Sequence, residues 1–340
     1  MPEGTSLMEE IEQLREEGDR AYESGQWDTA LSKYKAMTAL ALTLNLKPIL
    51  AEGYRKCGHI ERMRGSFRPA EKMFEKALAV STSDGDMAGI ADSLKGLSTM
   101  FFKKGEYGQA LRYGQEALSN ARVLKDATLI GSILIDLGNV YCVTGKYDDG
   151  MKAYEEALRV LPEKEFLHIG RALNNMGETH KRHARYDEAV ASLEKAIVLG
   201  TERGDPVNRA WSLFCAAECY ARKGDPDKAL DYLESSETIL KGSSDEVGLQ
   251  ELYKVKGIAL ERKGDRPKAK EFFERSIKLG KKLNLPAETA STYIELGLMY
   301  EASADRASAR ECFVLAQALY QGVRLASEIE TVRKHLVRIS

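Results

Sequence analysis

Two thiols stand one helical turn apart at Cys215 and Cys219, and His180 and His183 lie in the preceding segment. A zinc site needs four such ligands at compatible spacing. No second pair accompanies these two, and Cys57-x-His59 is weaker still. Core packing is expected, with no metal. His180 takes a slot filled elsewhere by Tyr141, Tyr220 and Tyr300, a packing slot. Carboxylate neighbours such as Glu9-Glu10, Glu16-Glu17 and Asp148-Asp149 fall on helix starts or solvated faces. There is no Gly-x-Ser-x-Gly, no His-Glu-x-x-His and no glycine-rich phosphate loop after a strand. Neither an enzyme nor a cofactor is expected. What remains is recognition chemistry. Asn139, Asn174 and Asn175 each carry a donor and an acceptor, suited to the backbone of an extended peptide. Arg171, Lys181, Arg182 and Arg222 can take acidic side chains, the arginines bidentately. Trp211 and Phe214 offer an apolar anchor of the kind that carries binding energy.

A ruler positions these residues. Gly25, Gly65, Gly105, Gly145, Ala184, Gly224, Gly264 and Ala304 are spaced by 40, 40, 40, 39, 40, 40 and 40 residues. Most are followed two residues later by an aromatic (Trp27, Phe67, Tyr107, Tyr147, Tyr186), and five residues later by Ala or Gly. Seven residues before each stands a small residue: Gly18, Gly58, Ser98, Gly138, Gly177, Ala217, Gly257, Gly297. Nine residues after most of them stands a large one, such as Tyr34, Phe74, Tyr154 or Phe273; the third copy has Gly114 instead. Such a fixed period marks a repeat array. The unit reads as a helix hairpin: glycine at the turn accepts a positive φ and ends the first helix, and small slots let antiparallel helices approach while large residues fill the gaps. Neither helix buries its apolar face alone, so hairpins must stack.

The pattern resembles the tetratricopeptide repeat over roughly residues 8 to 320. The departure is a period of 40 in place of about 34, with the extra residues between hairpins at Leu46-Lys47-Pro48, Asp84-Gly85-Asp86 and Leu124-Lys125-Asp126. The long-period form is similar to adaptors with Leu-Gly-Asn repeats, and the fourth copy carries Leu137-Gly138-Asn139. The resemblance implies an all-α fold, a right-handed α-α superhelix (solenoid) of eight hairpins over residues 8–322. Residues 1–7 are expected to be a flexible N-terminus. Residues 323–340 are expected to form a capping helix, with Leu325, Ile329, Val332, Leu336 and Ile339 on one face.

Composition agrees with an array of solvated helices. Charged residues make up 30% of the chain and the formal net charge is −2, which argues against a broad basic nucleic-acid face. Five scattered cysteines suit a reducing compartment. No apolar run is long enough to span a membrane, and residues 1–10 lack a signal-peptide stretch. A cytoplasmic protein is expected, without membrane or nucleic-acid partners.

The resemblance also implies that the first helices of successive hairpins line a concave groove. Its slots hold Arg15, Arg55, Lys95, Asn174, Phe214 and Lys254 in one row, and Asp19, His59, Asn139, Glu178 and Glu218 in another. Deeper in the same helices come Arg62, Lys103, Lys181, Arg182, Arg222 and Arg262. Copies four to six combine the asparagines, arginines and aromatics named above, whereas Val255, Ile258, Ile294 and Leu298 make copies seven and eight more apolar. Chaperone-tail binders of the family hold a terminal carboxylate with Lys-x-x-x-Asn, Asn and Lys-x-x-x-Arg in successive copies. Asn139 and Asn175 fit the asparagines, but Ile135, Trp211 and Cys215 stand where the cations should be. A carboxylate-clamp co-chaperone is therefore not expected. The expected function is a scaffold that binds a protein or peptide in the groove, as a monomer or weak homo-oligomer. A peptide-sensing regulatory module and a self-assembling element are the alternatives.

Overall fold

In the computed structural model, which describes residues 3–323 and 325–339, the ruler becomes a series of antiparallel hairpins. Among the described residues there are 17 α-helices and no strand. They pair as α1 (Glu3–Glu23) with α2 (Trp27–Thr43), α3 (Lys47–Met63) with α4 (Phe67–Asp84), α5 (Met87–Lys104) with α6 (Tyr107–Leu124), and α7 (Ala127–Val143) with α8 (Tyr147–Val160). Next come α9 (Phe166–Arg182), α10 (Tyr186–Glu202), α11 (Pro206–Lys223) and α12 (Pro226–Gly242). The chain continues through α13 (Glu246–Lys263), α14 (Arg266–Lys282), α15 (Pro286–Ala302) and α16 (Arg306–Gly322) to α17 (Ala326–Ile339). Helix α1 already begins at Glu3, inside the segment expected to be a flexible 1–7 tail; residues 1 and 2 lie outside the described residues.

The turn slot behaves as its residues dictate. All eight ruler residues adopt a positive φ, including the two alanines, Ala184 at 55° and Ala304 at 61°. The large residue meets the small one: a Cβ on Gly18 would lie 2.5 Å from the Tyr34 ring, and one on Gly138 2.5 Å from Tyr154. In the third copy, where Gly114 breaks the rule, Leu137 of the next hairpin moves in against it and Ser98 donates a hydrogen bond to the Ala110 carbonyl at 2.8 Å. Aspartates cap some helix starts, after a ruler turn as Asp265 does for Lys268 N–H, or between hairpins as Asp86 does for Gly89 N–H.

The helices form two compact units, Met1–Ala172 and Leu173–Ser340, where the ruler alone had suggested one unbroken array. Just before the division the period drops to 39 and α8 is only 14 residues long. Pro162 excludes a helical conformation at Leu161, which turns extended (φ −66°, ψ 129°). In each unit the first helices of successive hairpins also touch: α3 with α5 and α5 with α7, then α11 with α13 and α13 with α15. They therefore form the inner wall of each unit, as the resemblance implied. Helix α17 covers the last hairpin of unit 2, with Val332 and Ile339 buried and His335 stacked on Phe313 at 5.0 Å.

Candidate functional site: the inner faces of the two units

In unit 1 the inner face is built by α1, α3, α5 and α7. Tyr34 passes beneath α1 and donates its hydroxyl to Asp19 at 2.6 Å; Tyr154 repeats the contact on Asn139 at 2.6 Å. Lys56 bonds Asp19 at 2.6 Å, and Arg15 reaches Glu52 at 3.1 Å. Asp19, Tyr22, Tyr34, Lys56 and His59 line a cavity of about 220 Å³. Around it stand Arg55, Arg62 and Lys95, all half-buried. The Arg55 Nη1 and Arg62 Nε atoms are buried without a hydrogen-bond partner. Burial holds the Arg62 guanidinium below its usual range, with Tyr22 and Asp136 acting weakly the other way. Burial, with Arg62, Lys95 and Arg55 adding their charge, pushes the His59 imidazole down to about 3, so it is neutral at pH 7. Its ring packs edge-on against Phe74 at 5.1 Å.

In unit 2 the same wall is closed by its own charges. Lys181 on α9 bonds Glu178 at 2.7 Å and Glu218 on α11 at 2.8 Å. Arg222 bonds Glu218 at 2.8 Å and, 73 residues along the chain, Glu295 on α15 at 2.7 Å. Lys254 on α13 holds Glu251 at 2.6 Å. Glu218 is only 8% exposed. Burial by itself would raise its carboxyl, but Lys181, Arg222 and Lys254 hold it far below the usual carboxylate range. Burial likewise opposes the ammonium of Lys181, and Glu218 with Glu178 overcomes it. Among the described residues no three His, Cys, Asp or Glu side chains gather to hold a metal, and burial pushes the Cys219 thiol up to about 12.

A model of the tetratricopeptide repeat matches residues 129–198 and 168–242, and the remaining copies carry the same slots and turn geometry. Residues 129–242 therefore carry tetratricopeptide repeats. Among solved tetratricopeptide-like folds, the apo form of the quorum sensor NprR from B. thuringiensis matches with a TM-score of 0.69 at 15% identity, over 93% of this chain and 98% of that one. A Rap protein complexed with competence and sporulation factor matches with a TM-score of 0.60 at 14% identity, over 97% of each chain. Both likenesses are of fold. The kinesin light chain-related protein 3 of Arabidopsis thaliana is 27% identical over 191 residues, 53% of this chain. That stretch spans 29% of the relative's own length. No helix among the described residues is long and apolar enough to cross a membrane.

The residues singled out by sequence in this array separate into two groups. Asn139 and Arg171 belong to unit 1, Asn139 accepting from Tyr154 and Arg171 facing Asp136 at 3.6 Å. Asn174, Asn175, Lys181, Arg182, Trp211, Phe214 and Arg222 belong to unit 2. There Asn174 accepts from Ser212 at 2.6 Å, Asn175 is half-buried, and Trp211 donates its indole N–H to Asp245 at 3.1 Å. Arg182 is the exposed one, paired with Glu178 at 3.1 Å. Two expectations are corrected. Phe214 is 3% exposed and packs against Trp211 at 4.9 Å with the rings tilted by 54°, so it is core support and no surface anchor. Lys181 and Arg222 are consumed by Glu218 and Glu295, because the first helices approach closely enough for a side chain on α11 to meet one on α15. Val255 and Ile258 are likewise buried, leaving Ile294 and Leu298 half-buried as the apolar part of the wall. The cluster that sequence reading passed over is Arg55, Arg62 and Lys95. Its one signal was three successive cations, Arg15, Arg55 and Lys95, in the same slot.

Proposed function

We propose that this chain is a non-catalytic interaction scaffold that holds a peptide or helical segment of a partner protein against the inner faces of its first helices. The observation that carries the reading is the unit 1 wall, where a cavity of about 220 Å³ opens beside buried nitrogens that the fold leaves unsatisfied. Buried polar atoms are ordinarily paired, so such atoms are suited to a partner's acceptors. Asn139 in unit 1, and Asn174 with Asn175 in unit 2, are side chains suited to a ligand backbone. Tyr154 and Ser212 fix the orientation of Asn139 and Asn174. Arg171, Arg182 and the half-buried Trp211 remain accessible at the wall's edges.

The test is to select random displayed peptides on the whole chain and map the bound peptide by hydrogen exchange. Protection should concentrate on first helices such as α3, α5, α11 and α13. Protection confined to second helices such as α4, α6 and α12 would overturn the reading. A second reading is a regulatory module that senses a peptide and acts through a partner. The near full-length likeness to a quorum sensor and to a factor-bound Rap protein favours it. It requires the selected peptide to change the radius of gyration in X-ray scattering; an unchanged radius leaves the scaffold alone.

A further inference from the structure

We propose that the inner face of unit 1, around Arg55, Arg62 and Lys95, is a binding site for an acidic peptide segment, an inference that rests on the scaffold reading above. The carboxylates of this wall are already engaged: Asp19 by Lys56 and Tyr34, Glu52 by Arg15, and Asp136 by Arg171. Among the described residues, Arg55, Arg62 and Lys95 form no ion pair; Glu61, next to Arg62 on α3, and Asp92, three residues before Lys95 on α5, are the nearest offsets in sequence and make no ion pair with them. The wall therefore keeps a surplus of positive charge. Leaving a partly buried guanidinium unpaired costs free energy, and unit 2 shows that this fold readily supplies glutamates where its cations need them.

The charges also converge. Arg62, Lys95 and Arg55 act together on His59, and Lys95 acts on His168 at the start of α9 as well. All three cations therefore stand near His59, which lines the cavity formed by α1, α2 and α3. Two arginines offer forked donors to carboxylates, and Lys95 adds a point charge. Neutral His59 in the cavity lining adds a hydrogen-bonding group without competing for the anion. A nucleic acid fits less well. It needs a broad basic face along its phosphates, and the chain has a formal net charge of −2.

The experiment is fluorescence anisotropy of a labelled hexaglutamate peptide with the full chain at low salt. Wild type should bind. The Arg62→Gln/Lys95→Gln double variant should bind at least about tenfold more weakly, whereas Lys195→Gln, an exposed cation on α10, should bind as wild type does. Equal binding by all three would place the peptide elsewhere and overturn the proposal. A single-stranded DNA 12-mer that outcompetes hexaglutamate, and is lost in the double variant, would overturn the choice of a peptide. Should the double variant unfold, wild type decides: hexaglutamate at pH 7 must shift the NMR signals of the His59 ring, and unmoved signals refute the site. Failure of this inference is distinguishable from failure of the scaffold. If display-selected peptides protect the first helices while hexaglutamate neither binds nor competes, the scaffold stands and the acidic ligand falls.

Discussion

The two inner walls start from the same slots and reach opposite electrostatic ends. In unit 2, every cation that reaches the middle of the wall meets a glutamate: Lys181 and Arg222 share Glu218, Arg222 extends to Glu295, and Lys254 holds Glu251. In unit 1, Arg55, Arg62 and Lys95 form no such pair among the described residues, and the histidine among them is held neutral. The repeat therefore fixes where a side chain points, and the residue in each slot decides whether the wall is satisfied from within or leaves something for a ligand. A closed network gives unit 2 rigidity; an open cationic recess gives unit 1 chemistry.

The largest effect expected from this difference lies in unit 2. Glu218→Ala should cost about 2 to 3 kcal/mol in denaturant unfolding, because it removes the carboxylate that Lys181 and Arg222 share and leaves each with one partner, Glu178 and Glu295. A loss below about 1 kcal/mol would mean that the network is solvated in solution, and the two walls would differ less than the distances imply. Next comes pH. The His59 imidazole is depressed to about 3, so the unfolded chain binds a proton below pH 6.5 that the folded chain refuses. Its contribution is complete above pH 6.5 and is lost as pH falls, on the order of 2 kcal/mol by pH 5. Glu218 is also depressed, but from a carboxylate value, so its contribution holds until pH falls below about 4.5. Hydrogen exchange at pH 5 should therefore loosen α3 before α11, and His59→Gln should abolish the difference. Simultaneous loosening would show that His59 titrates normally. The smallest effect concerns the turns. Within the hairpins of unit 1 every turn slot uses glycine at positive φ, whereas unit 2 forces Ala184 and Ala304 into it. Ala184→Gly should stabilise unit 2 by about 0.5 to 1 kcal/mol in urea unfolding, while a destabilisation would mean that the lost backbone restriction outweighs the relieved strain.

Much of this was legible in the sequence. The 40-residue ruler located each positive-φ turn, even where alanine replaced glycine, and the small-large rule anticipated Gly18 beneath Tyr34 and Gly138 beneath Tyr154. Three things were not legible. Arg222 meets Glu295 across 73 residues, a contact set by how closely α11 and α15 approach and absent from any local pattern. Phe214, Val255 and Ile258 occupy wall slots yet lie in the core, because burial depends on the size of neighbours in adjacent helices. Finally, a row of cations in one slot reads the same whether carboxylates answer it or not; only the placement of Asp19, Glu52 and Asp136 shows that Arg55, Arg62 and Lys95 are left over.

The contrast between the walls is tested most directly by removing one cation from each. Arg62→Gln and Arg222→Gln, unfolded side by side in denaturant at pH 7, should shift stability in opposite directions. Arg62→Gln should gain up to about 1 kcal/mol by discarding an unpaired, partly buried charge, and Arg222→Gln should lose about 2 kcal/mol by taking the cation from Glu295 and one of two from Glu218. If both variants lose stability by similar amounts, Arg62 has a partner as good as that of Arg222, and the contrast between an open wall and a closed one is wrong.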